Sequence, residues 1–170
     1  MKKDWSRVSS VFLAMAVGSM SLSSMAADAP AKSQAKPVDS KLVERGRYLV
    51  MITGCHDCHT PGFLVNGGKN TAQADWLTGG KLGWRGPWGT TYPVNLRLLF
   101  QEMSEDQWVQ LAKEIQRRPP MPYFSLNAMS TADVRAIYAY VRHLGPAGEP
   151  APKFLPADKV PPQPYVQFPG

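Results

Sequence analysis

Two thiols and two imidazoles stand within five residues, in Cys55-His56-Asp57-Cys58-His59. The 170-residue chain holds no other cysteine and only one further histidine, His143. A disulfide between Cys55 and Cys58 would close a very short loop and constrain little, so a structural staple is a poor use of the pair. A structural zinc site needs a second ligand pair at suitable spacing, and the chain has none to offer. A thioredoxin-like redox pair expects βαβ surroundings that the sequence does not show. The pattern C-x-x-C-H meets a different requirement. Two thiols one helical turn apart reach two vinyl groups on one porphyrin edge, and the histidine that follows turns beneath the ring to bind iron. The spacing predicts one covalently attached c-type haem, held by Cys55 and Cys58 with His59 as proximal ligand. His56, between the thiol positions, reads as a solvent-facing side chain.

A second axial ligand is sought among Met51, Met103, Met121, Met129 and His143. Met51 lies on the approach to the motif and cannot reach the opposite face of a ring. Met103 and Met129 precede helix starts, where they serve as staple residues. His143 reads as a helix-end or surface side chain. Met121 differs, because it sits in Pro119-Pro120-Met121-Pro122, where helix is excluded and the backbone is stiff. A rigid loop lowers the ordering cost of holding a weak iron–sulfur bond. A His59/Met121 pair leaves no open coordination position and raises the reduction potential. Both properties favour electron transfer over chemistry on a substrate. A haem sensor or haem enzyme with a displaceable Met121 is the contrary reading. No distal His or Arg acid–base pair accompanies the site to support it.

The elements that position these residues are short. Leu42, Val43, Gly46, Leu49, Val50 and Ile52 fit an amphipathic helix from Ser40 to about Thr53, running into Cys55. Residues 60–100, punctuated by Gly and Pro around Trp76, Trp84, Trp88 and Tyr92, read as ordered loop rather than regular structure. Ser104 with Gln107 forms a capping box for a helix to about Gln116, and Met103 with Trp108 forms its staple. Ser130 with Asp133, flanked by Met129 and Val134, opens another helix that ends at Gly145-Pro146. Residues 146–170 carry eight prolines, so the tail is extended, and a partly ordered strap packed across the domain through Phe154, Tyr165 and Phe168 is favoured over a solvated linker.

The start of the chain reads as an export signal. Lys2, Lys3 and Arg7 precede an apolar stretch from about Val8 to Met20 and the small residues Ser24-Met25-Ala26-Ala27. The expected division is a signal peptide over 1–26, a flexible segment over 27–39, a haem domain over 40–145 and a Pro-rich tail over 146–170. The apolar stretch is short and broken by Ser and Gly, so no membrane span is expected after cleavage, and the destination is the periplasm. The formal charge is +6. It is mild and without a basic stripe of interleaved aromatics, so it steers acidic protein partners rather than nucleic acid.

The sequence resembles the class I c-type cytochromes. It looks most like the haem domains of cytochrome subunits of bacterial periplasmic alcohol and sugar dehydrogenases. The resemblance covers residues 40–145. It is carried by Gly46-Arg47-Tyr48-Leu49, Gly54 to Pro61, Gly86-Pro87-Trp88-Gly89-Thr90-Thr91-Tyr92-Pro93-Val94-Asn95-Leu96, Met121-Pro122-Tyr123 and the segment from Met129 to Val141. It implies an all-α fold of short helices and long loops wrapped around one haem, with the first and last helices crossing at Gly46 against Tyr138 or Tyr140. It also implies that Pro61 packs near the proximal His59 and that the Trp88–Asn95 segment (Trp88, Tyr92, Asn95) approaches the propionates. Arg85 is a candidate propionate partner. The implied role is a periplasmic electron carrier between a dehydrogenase donor and an oxidase or reductase acceptor. The alternative is a cytochrome subunit resident in one such complex. The related subunits carry several haems, whereas this chain has one C-x-x-C-H, and Asn95-Leu96-Arg97-Leu98 stands where they have Asn-Thr-Pro-Asp.

Overall fold

The computed structural model describes residues 39–69 and 71–170. The leader expected over residues 1–26, and all of the 27–39 segment except Asp39, lie outside the described residues. In chain order the elements are helix α1 (Ser40–Ile52), helix α2 (Cys55–His59), strands β1 (Gly83–Gly86) and β2 (Gly89–Thr91), and helix α3 (Leu96–Leu99). Helices α4 (Glu105–Glu114), α5 (Tyr123–Ala128) and α6 (Thr131–Leu144) follow, then strand β3 (Tyr165–Gln167). None of these helices is long and apolar enough to cross a membrane.

Local chemistry accounts for the helix ends. Asp39 caps α1 by accepting a bond from Lys41 N at 2.9 Å. Ser104 and Gln107 complete a reciprocal capping box at α4, and Ser130 Oγ accepts from Asp133 N at 3.1 Å to open α6. Helix α4 stops at Glu114, two residues earlier than its periodicity suggests, before the run that leads to Pro119-Pro120.

The core forms where α1 and α4 bury their apolar faces against α6, through Leu49, Val50, Trp108, Val134, Ile137 and Val141. Gly46 makes the α1–α6 contact possible. A Cβ there would overlap the Ala136 carbonyl and lie 2.7 Å from Tyr140 Cβ. Tyr140 is thus the residue opposite Gly46. Tyr138 instead stacks on Phe100 at 5.6 Å and donates its hydroxyl to Met103 O at 2.9 Å.

The fold is mostly helical but not all-α, which corrects the reading of residues 60–100 as loop. That stretch holds a 3₁₀ turn at Gln73–Asp75, the β1–β2 hairpin and α3. The strands pair antiparallel with Trp84 opposite Thr91, Arg85 opposite Thr90 and Gly86 opposite Gly89. Strands this short carry too little alternation to stand out from the Gly and Pro around them. Helix α5 was likewise hidden, since it starts directly after Pro122 and spans only six residues.

The Pro-rich tail contains no helix. Its strand β3 runs parallel to β1, pairing Gly83 with Tyr165, Trp84 with Val166 and Arg85 with Gln167. Upstream, Leu155 and Thr90 exchange two backbone hydrogen bonds, at 2.7 and 3.0 Å.

Candidate cofactor site

Helix α2 is the C-x-x-C-H motif itself. Gly54 links it to α1 in the left-handed region, with φ of 71°, and a side chain there would be strained and would meet Asp57 Oδ2 at 2.9 Å. The sharp turn sets Cys55 and Cys58 one helical turn apart, both as free thiols. Burial pushes both thiols above the ordinary cysteine pKa, and the Asp57 carboxylate acts in the same direction on each. Thr53, 3.3 Å from Cys55 Sγ, opposes this only in part. A dithiol that works by exchange is served by a shift in the opposite direction.

His59 is buried, and its Nδ1 lies 2.7 Å from the Val94 carbonyl. A carbonyl oxygen can only accept, so Nδ1 donates its N–H to it and Nε2 is left as the lone-pair nitrogen. Burial lowers the His59 pKa, with the Val94 bond acting in the opposite sense, so the imidazole is held toward its neutral form. The anchoring carbonyl is fixed in turn. Gly79 N donates to His59 O at 2.8 Å, Gly80 N donates to Pro93 O at 3.1 Å, and a Cβ on Gly79 would sit 2.8 Å from Pro93 O. Pro61, expected near His59, is exposed.

His56 corrects the sequence reading, because it is buried rather than solvent-facing. Its ring stacks on Phe63 at 4.8 Å and meets the edge of Trp76 at 5.2 Å. Its Nδ1 is 2.7 Å from Thr60 Oγ1, which also accepts from Leu77 N at 2.8 Å. Burial, then the neighbouring His59, lowers its pKa to about 4. His56 therefore pins the turn that leaves the motif.

The other expected residues fall in two groups. Met121 is half-buried and packs, with Cys55, against the rim of the same apolar cluster. Arg85, Trp88 and Tyr92 sit on or beside the β1–β2 hairpin, which reaches the Met121 loop through Thr91 Oγ1 donating to Pro119 O at 3.0 Å. The Arg85 guanidinium lies 6.0 Å from the Tyr165 ring centroid. Asn95 is engaged within the protein. Its Oδ1 accepts from Leu98 N at 3.0 Å, and its Nδ2 donates to Ala147 O and Glu149 O at 2.8 and 3.1 Å. With its hydrogen-bonding groups engaged, it caps α3 and joins it to the tail. His143 is exposed at the end of α6.

Three contributors escaped the sequence reading. Val94 acts through a backbone carbonyl, which no residue type announces. Trp84 was grouped with the loop aromatics, yet its Nε1, like that of Trp88, is buried without an acceptor. Arg97 is a buried cation whose guanidinium donates to the carbonyls of Gly145, Leu144 and Ala74, fixing the end of α6.

A c-type haem is compatible with this donor set. The thiols are free and one helical turn apart, His59 Nε2 has no hydrogen-bond partner among the described residues, and the buried indole N–H groups of Trp84 and Trp88 lack acceptors. Among the described residues no three His, Cys, Asp or Glu side chains converge to hold a metal ion on their own.

No family model matches the chain, and no solved structure matches it. Several curated proteins do. The chain is 30% identical over 131 residues to the cytochrome c subunit of a quinone alcohol dehydrogenase of Gluconacetobacter polyoxogenes, covering 71% of this chain and 26% of that subunit. It is 28% identical over 141 residues to the gluconate 2-dehydrogenase cytochrome c subunit of Pantoea cypripedii, covering 77% of this chain and 28% of that one. It is 27% identical over 122 residues to the fructose dehydrogenase cytochrome subunit of Gluconobacter japonicus, covering 65% and 23%. The chain spans about a quarter of the length of these relatives. It is homologous to part of the cytochrome c subunits of bacterial alcohol, gluconate and fructose dehydrogenases.

Proposed function

We propose that the protein is an exported, periplasmic electron carrier that holds one haem c through Cys55 and Cys58, with His59 and Met121 as axial ligands. The observation that carries this is the state of His59. A buried imidazole whose Nδ1 is committed to the Val94 carbonyl is oriented and prepared to bind a metal through Nε2. Haem supplies a one-electron couple at its iron. The thiols of Cys55 and Cys58 would each add across a vinyl double bond, forming a carbon–sulfur bond and passing the thiol hydrogen to the neighbouring carbon, so no oxidant is consumed. Met121, on a proline-stiffened loop, would hold the iron through its thioether and so deny it to small molecules. Trp84, Trp88, Arg85 and Tyr92 are the side chains we assign to the carboxylate end of the group, the buried indole N–H groups serving as donors.

The test is optical. The oxidised protein should show a sulfur-to-iron charge-transfer band, and its reduced form should bind no carbon monoxide. Met121→Ala should lose the band and gain carbon monoxide binding while the haem stays attached. Persistence of the band in that variant would sink the ligand assignment, and rapid carbon monoxide binding by the unaltered protein would favour a sensor or enzyme.

One observation supports a second reading, in which the protein remains bound to one dehydrogenase or oxidase complex. The relatives are themselves subunits of dehydrogenases. Purification from the native source separates the two: a lone carrier elutes alone, whereas a resident subunit brings a large redox partner with it.

A further inference from the structure

The C-terminal tail passes close to the loop that carries Met121, and the contact is specific. Leu155 is held against Thr90 by two backbone hydrogen bonds, at 2.7 and 3.0 Å. This sets Phe154 directly on the hairpin at Gly89, where a Cβ would lie 2.8 Å from the Phe154 ring and would overlap the Leu155 carbonyl. The Arg118 guanidinium sits 4.2 Å from the centroid of the Phe154 ring. Arg118 is three residues before Met121, in the segment between α4 and α5. The same segment is tied to the hairpin by Thr91 Oγ1 donating to Pro119 O. Two independent ties therefore hold the loop to the β1–β2 hairpin. One is direct, and the other runs through the tail.

Resting on the His59/Met121 reading, we infer that Phe154 and Arg118 are positioning residues for the Met121 thioether, the tail acting as a clamp on the ligand loop. An iron–sulfur bond is weak, and the loop must stay in place for the thioether to outcompete hydroxide or a lysine at high pH. Neither side chain is buried, so truncating either one leaves the apolar core intact. The anchor Leu155–Thr90 uses only backbone atoms and survives these substitutions.

The experiment follows the charge-transfer band of the oxidised, haem-loaded full-length protein as pH is raised, in the wild type, Phe154→Ala, Arg118→Gln, Phe154→Trp and Phe168→Ala. Phe168, fourteen residues further along the tail than Phe154, packs on Trp84 and Trp88 at 6.1 and 5.4 Å. The expected result is that Phe154→Ala and Arg118→Gln lower the midpoint of band loss by about one pH unit, roughly tenfold in the ligand-exchange equilibrium. Phe154→Trp, which keeps an aromatic face under the guanidinium, should hold the wild-type midpoint, as should Phe168→Ala. An unshifted midpoint in both Phe154→Ala and Arg118→Gln overturns the inference. An equal shift in Phe168→Ala also overturns it, since general loosening of the tail would then explain the effect. A wild-type protein without the band refutes the ligation reading itself and takes the clamp with it, an outcome visible before any variant is made.

Discussion

At the scale of single residues, position in the motif and environment in the fold carry different information. The one-turn spacing of Cys55, Cys58 and His59 is local, so the helical turn of α2 was legible in the sequence. The burial of His56 was not, because it depends on Phe63, Trp76 and Thr60 closing over the ring from residues 4 to 20 positions downstream. The structural role of Asn95 was hidden for a related reason. A polar side chain in a segment near a cofactor invites assignment to it, yet this amide is spent on Leu98, Ala147 and Glu149. Asn95→Ala should lower stability by about 1–2 kcal/mol, since three part-buried hydrogen bonds to backbone groups are lost. Chemical denaturation monitored by far-UV circular dichroism checks this, and the haem spectrum of the folded variant should be unchanged.

At the scale of elements, end signals proved readable and short strands did not. The Ser104 capping box and the Ser130 cap were both visible as residue pairs, because a cap is made by neighbours in sequence. Strand β1 owes its existence to β2 and to a partner about 80 residues away in β3, so no local window reveals it. The α1–α6 contact yields two predictions. Gly46→Ala should cost about 1–3 kcal/mol or more through overpacking, because the obstruction is the Ala136 backbone, and the melting temperature should fall accordingly. Asp133 joins the same helices through Arg45 at 2.9 Å, and its hydrogen bonds to Arg45 and Ser130 hold its carboxyl pKa below the ordinary value of 3.8. A carboxylate with a depressed folded pKa stabilises the protein above its unfolded pKa, and that stability is lost as pH falls below about 4 through the folded value. Stability measured against pH should therefore fall less steeply in the acid limb for Asp133→Asn than for the wild type.

At the scale of the whole molecule, the sequence and the fold meet in a single requirement. Helices of four to fourteen residues and a hairpin with strands of three and four residues leave apolar residues around the core only partly covered by protein, Cys55 and Met121 among them. A haem seated there would supply the missing packing, and the homologous dehydrogenase cytochrome subunits make that the natural occupant. The tail shows the limit of reading at this scale. Its prolines and aromatics announced an extended strap, but its pairing partner, the free edge of β1, is not displayed by the sequence. The most direct test of the account is the intact mass of the unfolded protein after export in a host that matures c-type cytochromes. The account predicts the polypeptide plus one haem, a mass that Cys55→Ser/Cys58→Ser reduces to bare polypeptide. A wild-type mass equal to the polypeptide alone, or lower by two hydrogens as a Cys55–Cys58 disulfide would give, contradicts it.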